Sequence, residues 1–61
     1  MRYYVKVLQV LNQENYCVEH SGIIHKTRED ARKELASITR AEREYYGIIR
    51  AWIEVLKDEE D

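Results

Sequence analysis

Hydrophobic and polar positions alternate with two different periods along this chain. Residues 3–10, YYVKVLQV, are rich in β-branched and aromatic side chains, which suit a pleated, half-buried strand. The polar cluster Asn12-Gln13-Glu14-Asn15 predicts a hairpin loop. Residues 16–20, YCVEH, begin a second strand, which Ser21-Gly22 interrupts before IIHK follows. Glycine there marks either a bulge or bend, or a tight turn that makes 23–26 a separate short strand.

From Thr27 the pattern becomes helical. Thr27 can cap, and Glu29 and Asp30 fall at the positive end of the helix dipole. Residues 28–46 contain no glycine and are dominated by Ala, Leu, Arg, Lys and Glu. They predict one helix about 28 Å long. Ala31, Leu35, Ile38 and Tyr45 form its apolar stripe, with Ala41 at the margin. Glu42 interrupts the stripe. Either the helix overhangs the sheet and leaves Glu42 in water, or Glu42 pairs with a base on a partner chain. Gly47 supplies the left-handed residue that commonly ends a helix.

The last strand runs to Leu56 and carries large apolar groups on both sides. Ile49, Ala51, Ile53 and Val55 alternate with Ile48, Trp52 and Leu56, the latter set beside Arg50 and Glu54. Strand, strand, helix, strand predicts an α+β fold of two layers, β-β-α-β. The three-stranded antiparallel sheet takes the order 2-1-3, because that order needs one right-handed crossover and leaves every neighbouring pair antiparallel.

One helical layer covers one sheet face. Ile49, Ile53 and Val55 with Val5 and Val7 are the best set for it, with Val18 and, as a further candidate, Ile24 from strand two. The other face collects Tyr4, Leu8, Val10, Trp52 and Leu56, interleaved with Lys6, Arg50 and Glu54. Contiguous apolar patches of this kind generally mark interaction sites, although an antiparallel sheet can also keep one face wet. Two-fold self-association is the commonest way to cover such a patch. The expectation is a homodimer with Tyr4, Leu8, Arg50, Trp52, Glu54 and Leu56 at the protein interface.

Size sharpens this expectation. A single domain of 61 residues buries only about 60 % of the surface its unfolded chain exposes, so outside help matters. The single cysteine, Cys17, excludes an intrachain disulfide and fits a reducing compartment. No run of about 18 apolar residues predicts a membrane span, and the N-terminus lacks the apolar segment of a signal peptide. The expected location is cytoplasmic. The net charge of −2 is unevenly placed, since Asp58, Glu59, Glu60 and Asp61 hold four of the twelve acids. Residues 57–61 therefore read as an acidic, frayed tail on a nearly neutral body. Neither part has the charge of a strong nucleic-acid binder or a DNA mimic.

Candidate chemistry is confined to Cys17, Glu19, His20 and His25. In a continuous strand Cys17 and His25 lie about 26 Å apart, and Cys17 and His20 point to opposite faces. A shared metal site would need a hairpin at Ser21-Gly22. The reading is of plain strand and loop histidines, no metal and no cofactor. Glycine-rich phosphate loops and an oriented nucleophile are absent, so no enzyme activity is expected. Arg28 with Arg32, and Arg40 with Arg43, lie one turn apart, while Tyr3, Tyr4, Tyr16 and Trp52 offer rings on which bases can stack. Nucleic-acid binding is the second reading.

Residues 1–38 resemble the HicB-type antitoxin module in MRYYVKVLQ, NYCVEH and KTREDARKELASI. That resemblance implies an antitoxin-type regulator. In size and organisation the chain is also similar to short accessory proteins of phages and prophages, many of which bind and block a host protein. Together these features predict a small non-enzymatic protein-binding module acting as a homodimer, of the phage-inhibitor type, with a small nucleic-acid-binding or antitoxin-type regulator as the alternative.

Overall fold

The computed structural model describes residues 1–57, so the tail read at 57–61 lies, beyond Lys57, outside the described residues. Strand β1 (Arg2–Leu11) and strand β2 (Glu14–Glu19) form a hairpin closed by Asn12 and Gln13 alone. Both turn residues are left-handed, with φ of 52° and 68°. This mirror-image turn matches the right-handed twist of the flanking strands. Polarity alone suggests a longer loop, but Glu14 and Asn15 already pair with Leu11 and Val10.

Strand β3 (Ile48–Leu56) pairs with the other side of β1, which gives the predicted order β2-β1-β3 with both neighbouring pairs antiparallel. The helical layer differs from the single helix expected over 28–46. It is two short helices, α1 (Arg28–Ala36) and α2 (Arg40–Tyr46). Ser37 closes α1: its backbone N–H reaches the carbonyls of Lys33 and Glu34, and its hydroxyl donates to Glu34 O at 2.6 Å. Thr39 is extended, and its hydroxyl accepts from Glu42 N at 3.0 Å, which opens α2. Thr27 caps α1 in the same way, through Asp30 N at 3.1 Å. Serine and threonine offer the backbone these local alternatives, and so a window rich in helix formers still breaks. Thr39→Ala is expected to cost about 1 kcal/mol, read as a lower urea midpoint with unchanged slope.

The break redirects the apolar stripe. Ala31 and Ile38 are buried and Leu35 packs against the core, but Tyr45 is 82 % exposed. Ala41, read at the margin, is also exposed. Ile38 lies in the link between the helices, where it joins Val5, Val7 and Ile48 in the core cluster.

Strand β3 carries a register shift. Leu8 faces Arg50 while Gln9 faces Ile48, so Ile49 is one extra residue. A bulge of one residue reverses the facing of what precedes it. Ile48 accordingly turns into the core, and Ile49 is 57 % exposed. Strict alternation assigns those two residues the other way round. Beyond the bulge the predicted alternation holds: Ala51, Ile53 and Val55 stand opposite Val7, Val5 and Tyr3. Gly47 ends α2 in the left-handed region, and its carbonyl accepts from Val10 N at 2.9 Å.

The helices pack over β1 and β3 and leave β2 largely uncovered. Val18, opposite Val7 on the helix side, keeps 39 % of its surface, and Ile24 keeps 40 %. Among the described residues no helix is long and apolar enough to cross a membrane.

Candidate functional site

Two regions hold side chains that the core does not account for. The first begins where β2 leaves the ladder. His20 N still donates to Val5 O at 2.8 Å. A regular continuation of the register would set Gly22 opposite Tyr3. His25 takes that place instead, exchanging both backbone hydrogen bonds with Tyr3, at 2.8 and 2.7 Å. The chain thus makes an excursion through residues 21–24 and rejoins β1. Gly22 turns it with φ of 79°, and Ser21 Oγ accepts from Ile23 N at 3.2 Å. Of the readings open for Ser21-Gly22, the bulge is nearest to what forms.

The excursion has a geometric consequence. Val5 and Tyr3 are alternate residues of β1, so His20 and His25 lie on the same face, the one turned to the helices. There α1 presents Glu34. Its Oε2 lies 2.6 Å from His20 Nδ1 and accepts from Ser21 Oγ at 2.6 Å, and its Oε1 lies 2.5 Å from His25 Nε2. From α2, Glu42 Oε2 lies 2.6 Å from His20 Nε2. The side chains of His20, His25 and Glu34 retain only 16, 15 and 10 % exposure, and Glu42 retains 31 %.

A neutral imidazole has one N–H and one lone pair. His20 has a carboxylate oxygen against each ring nitrogen, an arrangement that only the imidazolium satisfies on both sides. Burial by itself lowers the pKa of His20, but the hydrogen bonds and charges of Glu34 and Glu42 outweigh it and hold the pKa above the ordinary 6.5. Burial likewise pushes the Glu34 carboxyl up, while Ser21, His25 and His20 together outweigh it and hold the pKa below the ordinary 4.5.

The separate strand and loop histidines expected from sequence are thus joined through one carboxylate. Glu42 is neither solvated at an overhanging end nor turned to another chain, because its partner is His20. Cys17 and Glu19 stay outside the cluster: both are exposed, opposite Leu8 and Lys6 on the other face. Among the described residues no group of three or more His, Cys, Asp or Glu is arranged to hold a metal ion. Ser21 donates to a carboxylate rather than to a histidine, so the cluster lacks the hydrogen bond that activates a serine nucleophile. Its chemistry is proton binding and electrostatic clamping. One signal for it stood in the sequence, the misplaced Glu42. Glu34 gave none, since an acid beside Leu35 reads as a solvated helix position.

The second region is the sheet face away from the helices. Pairing in register puts Tyr4 beside Glu54, Lys6 beside Trp52, Leu8 beside Arg50 and Arg2 beside Leu56. All six residues expected at an interface therefore share this face. Tyr4, Leu8, Trp52 and Glu54 are half-buried, and Arg50 and Leu56 are exposed. Trp52 Nε1 donates to Glu54 Oε1 at 2.8 Å. Leu8, Arg50 and Trp52 line a shallow depression of about 290 Å³. The Cα trace is 13 Å across its thinnest axis, the depth of one helical layer on one sheet.

Compared with family models, with curated proteins and with solved structures, the chain has no match in any of the three.

Proposed function

We propose that this protein is a non-enzymatic protein-binding module whose open sheet face pairs with a second copy of the chain. The observation that carries the reading is the apolar strip Tyr4, Leu8, Val10 and Trp52, over which no element formed by the described residues lies. Burying a side chain the size of Trp or Leu contributes roughly 1.5–3 kcal/mol, which a chain of 61 residues has few other ways to obtain.

Charge favours a second copy as the occupant. Arg50 and Glu54 flank Trp52 two residues away on either side along β3, on the same face. A two-fold axis passing between two facing Trp52 rings, perpendicular to the strands, sets Arg50 of each copy opposite Glu54 of the other. Such self-complementarity is the mark of an isologous contact. Arg2, Lys6 and Arg50 share the face with Glu19 and Glu54, so its bases exceed its acids by only one, well short of the basic patch that nucleic acid selects.

Sedimentation equilibrium at micromolar concentration tests the proposal. The wild type is expected to be a dimer, and Trp52→Ser and Arg50→Glu monomers with native circular dichroism. The double exchange Arg50→Glu, Glu54→Arg is expected to restore the dimer. A monomeric wild type overturns the reading, as does a dimer untouched by Trp52→Ser. Salt-sensitive binding of oligonucleotides by that monomer turns the assignment to the nucleic-acid alternative.

A further inference from the structure

The cluster of His20, His25, Glu34 and Glu42 lies on the opposite side of the sheet from the proposed interface and carries an inference of its own. We infer that His20 is a proton-operated latch: carrying its proton, it clamps α1 and α2 to the end of β2, and on losing that proton it lets go of α2.

The geometry makes the latch bistable. The His20 ring bridges acids from both helices, Glu34 at Nδ1 and Glu42 at Nε2. Removing one proton leaves a ring lone pair against a carboxylate on one side. Glu34 keeps two further hydrogen bonds, from Ser21 and His25, whereas for Glu42 the His20 contact is the side-chain bond that reaches across to β2. The weaker side is therefore the α2 side.

Besides that contact, α2 is tied to the sheet at its last residue, where Gln9 Nε2 of β1 donates to Tyr46 O at 3.1 Å. The space between β2 and α2 is a groove of about 270 Å³, walled by Val7, Val18, Tyr46 and Ile48, with His20 and Glu42 spanning it. None of the residues of α2 is buried. The groups facing His20 from every side are Glu34 from α1, Glu42 and Tyr46 from α2, and Val5, Val7 and Gln9 from β1. From its own segment come Ser21 and, through Glu34, His25, while the Glu19 side chain stands on the other face. The acids outnumber the bases, which favours retention of the proton.

The raised pKa of His20 fixes the direction. A group whose pKa is higher in the folded state stabilises that state fully below its unfolded value and ceases to do so as pH rises through the folded value. The latch is closed in mildly acid solution and opens on the alkaline side of the ordinary histidine value, 6.5.

Ring nitrogen NMR shifts and amide hydrogen exchange, followed together from pH 5.5 to 9, test this. His20 is expected to titrate above 6.5 with both nitrogens protonated at the acid end. As it titrates, protection of the α2 amides, corrected for intrinsic exchange, is expected to fall about tenfold, the lower end of what a charge-assisted hydrogen bond contributes. Val5 and Val7 amides serve as the reference and are expected to hold. In Glu42→Gln, α2 is expected to be weakly protected at every pH, and the dependence on His20 to vanish. His20 titrating below 6.5, or α2 protection that ignores the titration, overturns the latch. An unchanged profile in Glu42→Gln does so too. Because Trp52→Ser leaves these groups alone, the same profile in that variant separates the latch from the dimer.

Discussion

Alanine at Gly47 is expected to lower the unfolding free energy by about 3 kcal/mol. Gly47 sits at φ 73°, where an L-residue costs about 1–2 kcal/mol. A Cβ there would also come within 2.6 Å of Val10 O. That oxygen belongs to the central strand, whose Val10 N is already bonded to Gly47 O, so neither backbone can retreat without opening the end of the β1–β3 ladder. Against a total stability on the order of 3–9 kcal/mol for a chain of this length, the loss is severe. Urea unfolding measures it. Gly47→Asn separates the two causes, since asparagine tolerates the left-handed region but meets the same oxygen. If alanine unfolds within about 0.5 kcal/mol of the wild type, the range of neutral surface changes, the close approach is refuted.

The second large effect is expected at Glu34. Truncation to alanine removes the acceptor of Ser21, His20 and His25 at once. Hydrogen bonds to a charged group contribute about 1.5–3 kcal/mol each. Water can reach the partly exposed histidines, so the expected net cost is about 2–4 kcal/mol. The sign of its pH dependence follows from two opposed shifts. Glu34, lowered from 4.5, stabilises the fold above that value and loses its effect as pH falls through the folded pKa. His20, raised from 6.5, stabilises below that value and loses its effect as pH rises. The wild type should therefore be most stable between these two values, near pH 5–6. Glu34→Ala should flatten that maximum, which chemical denaturation across the pH range will show. A maximum that survives the substitution would mean that other groups produce it.

The layers and strand order could be read from the sequence because each rests on a local signal. Alternation in YYVKVLQV, the polar turn, the cap at Thr27 and the stop at Gly47 are each decided within a few residues. The three features that escaped are decided by competition instead. Ser37 and Thr39 break a segment whose composition favours helix, because their hydroxyls satisfy the same backbone groups a continuing helix would use. Ile48 and Ile49 exchange faces because one bulged residue is invisible to a period of two. His20 and His25 meet because an excursion of irregular length restores the facing that the intervening residues would have scrambled. The six residues assigned to the open face do share one side of the sheet, since Arg50, Trp52, Glu54 and Leu56 all lie beyond the bulge.

That excursion also leaves room for change. Both of its ends are pinned by β1, at Val5 and Tyr3, while Ile23 between them is 55 % exposed and takes no part in the ladder. Lengthening a closed loop costs only about 0.6 kcal/mol per doubling. Foreign peptides grafted at Ile23 would thus be displayed from two fixed stems, with the hairpin beneath them undisturbed.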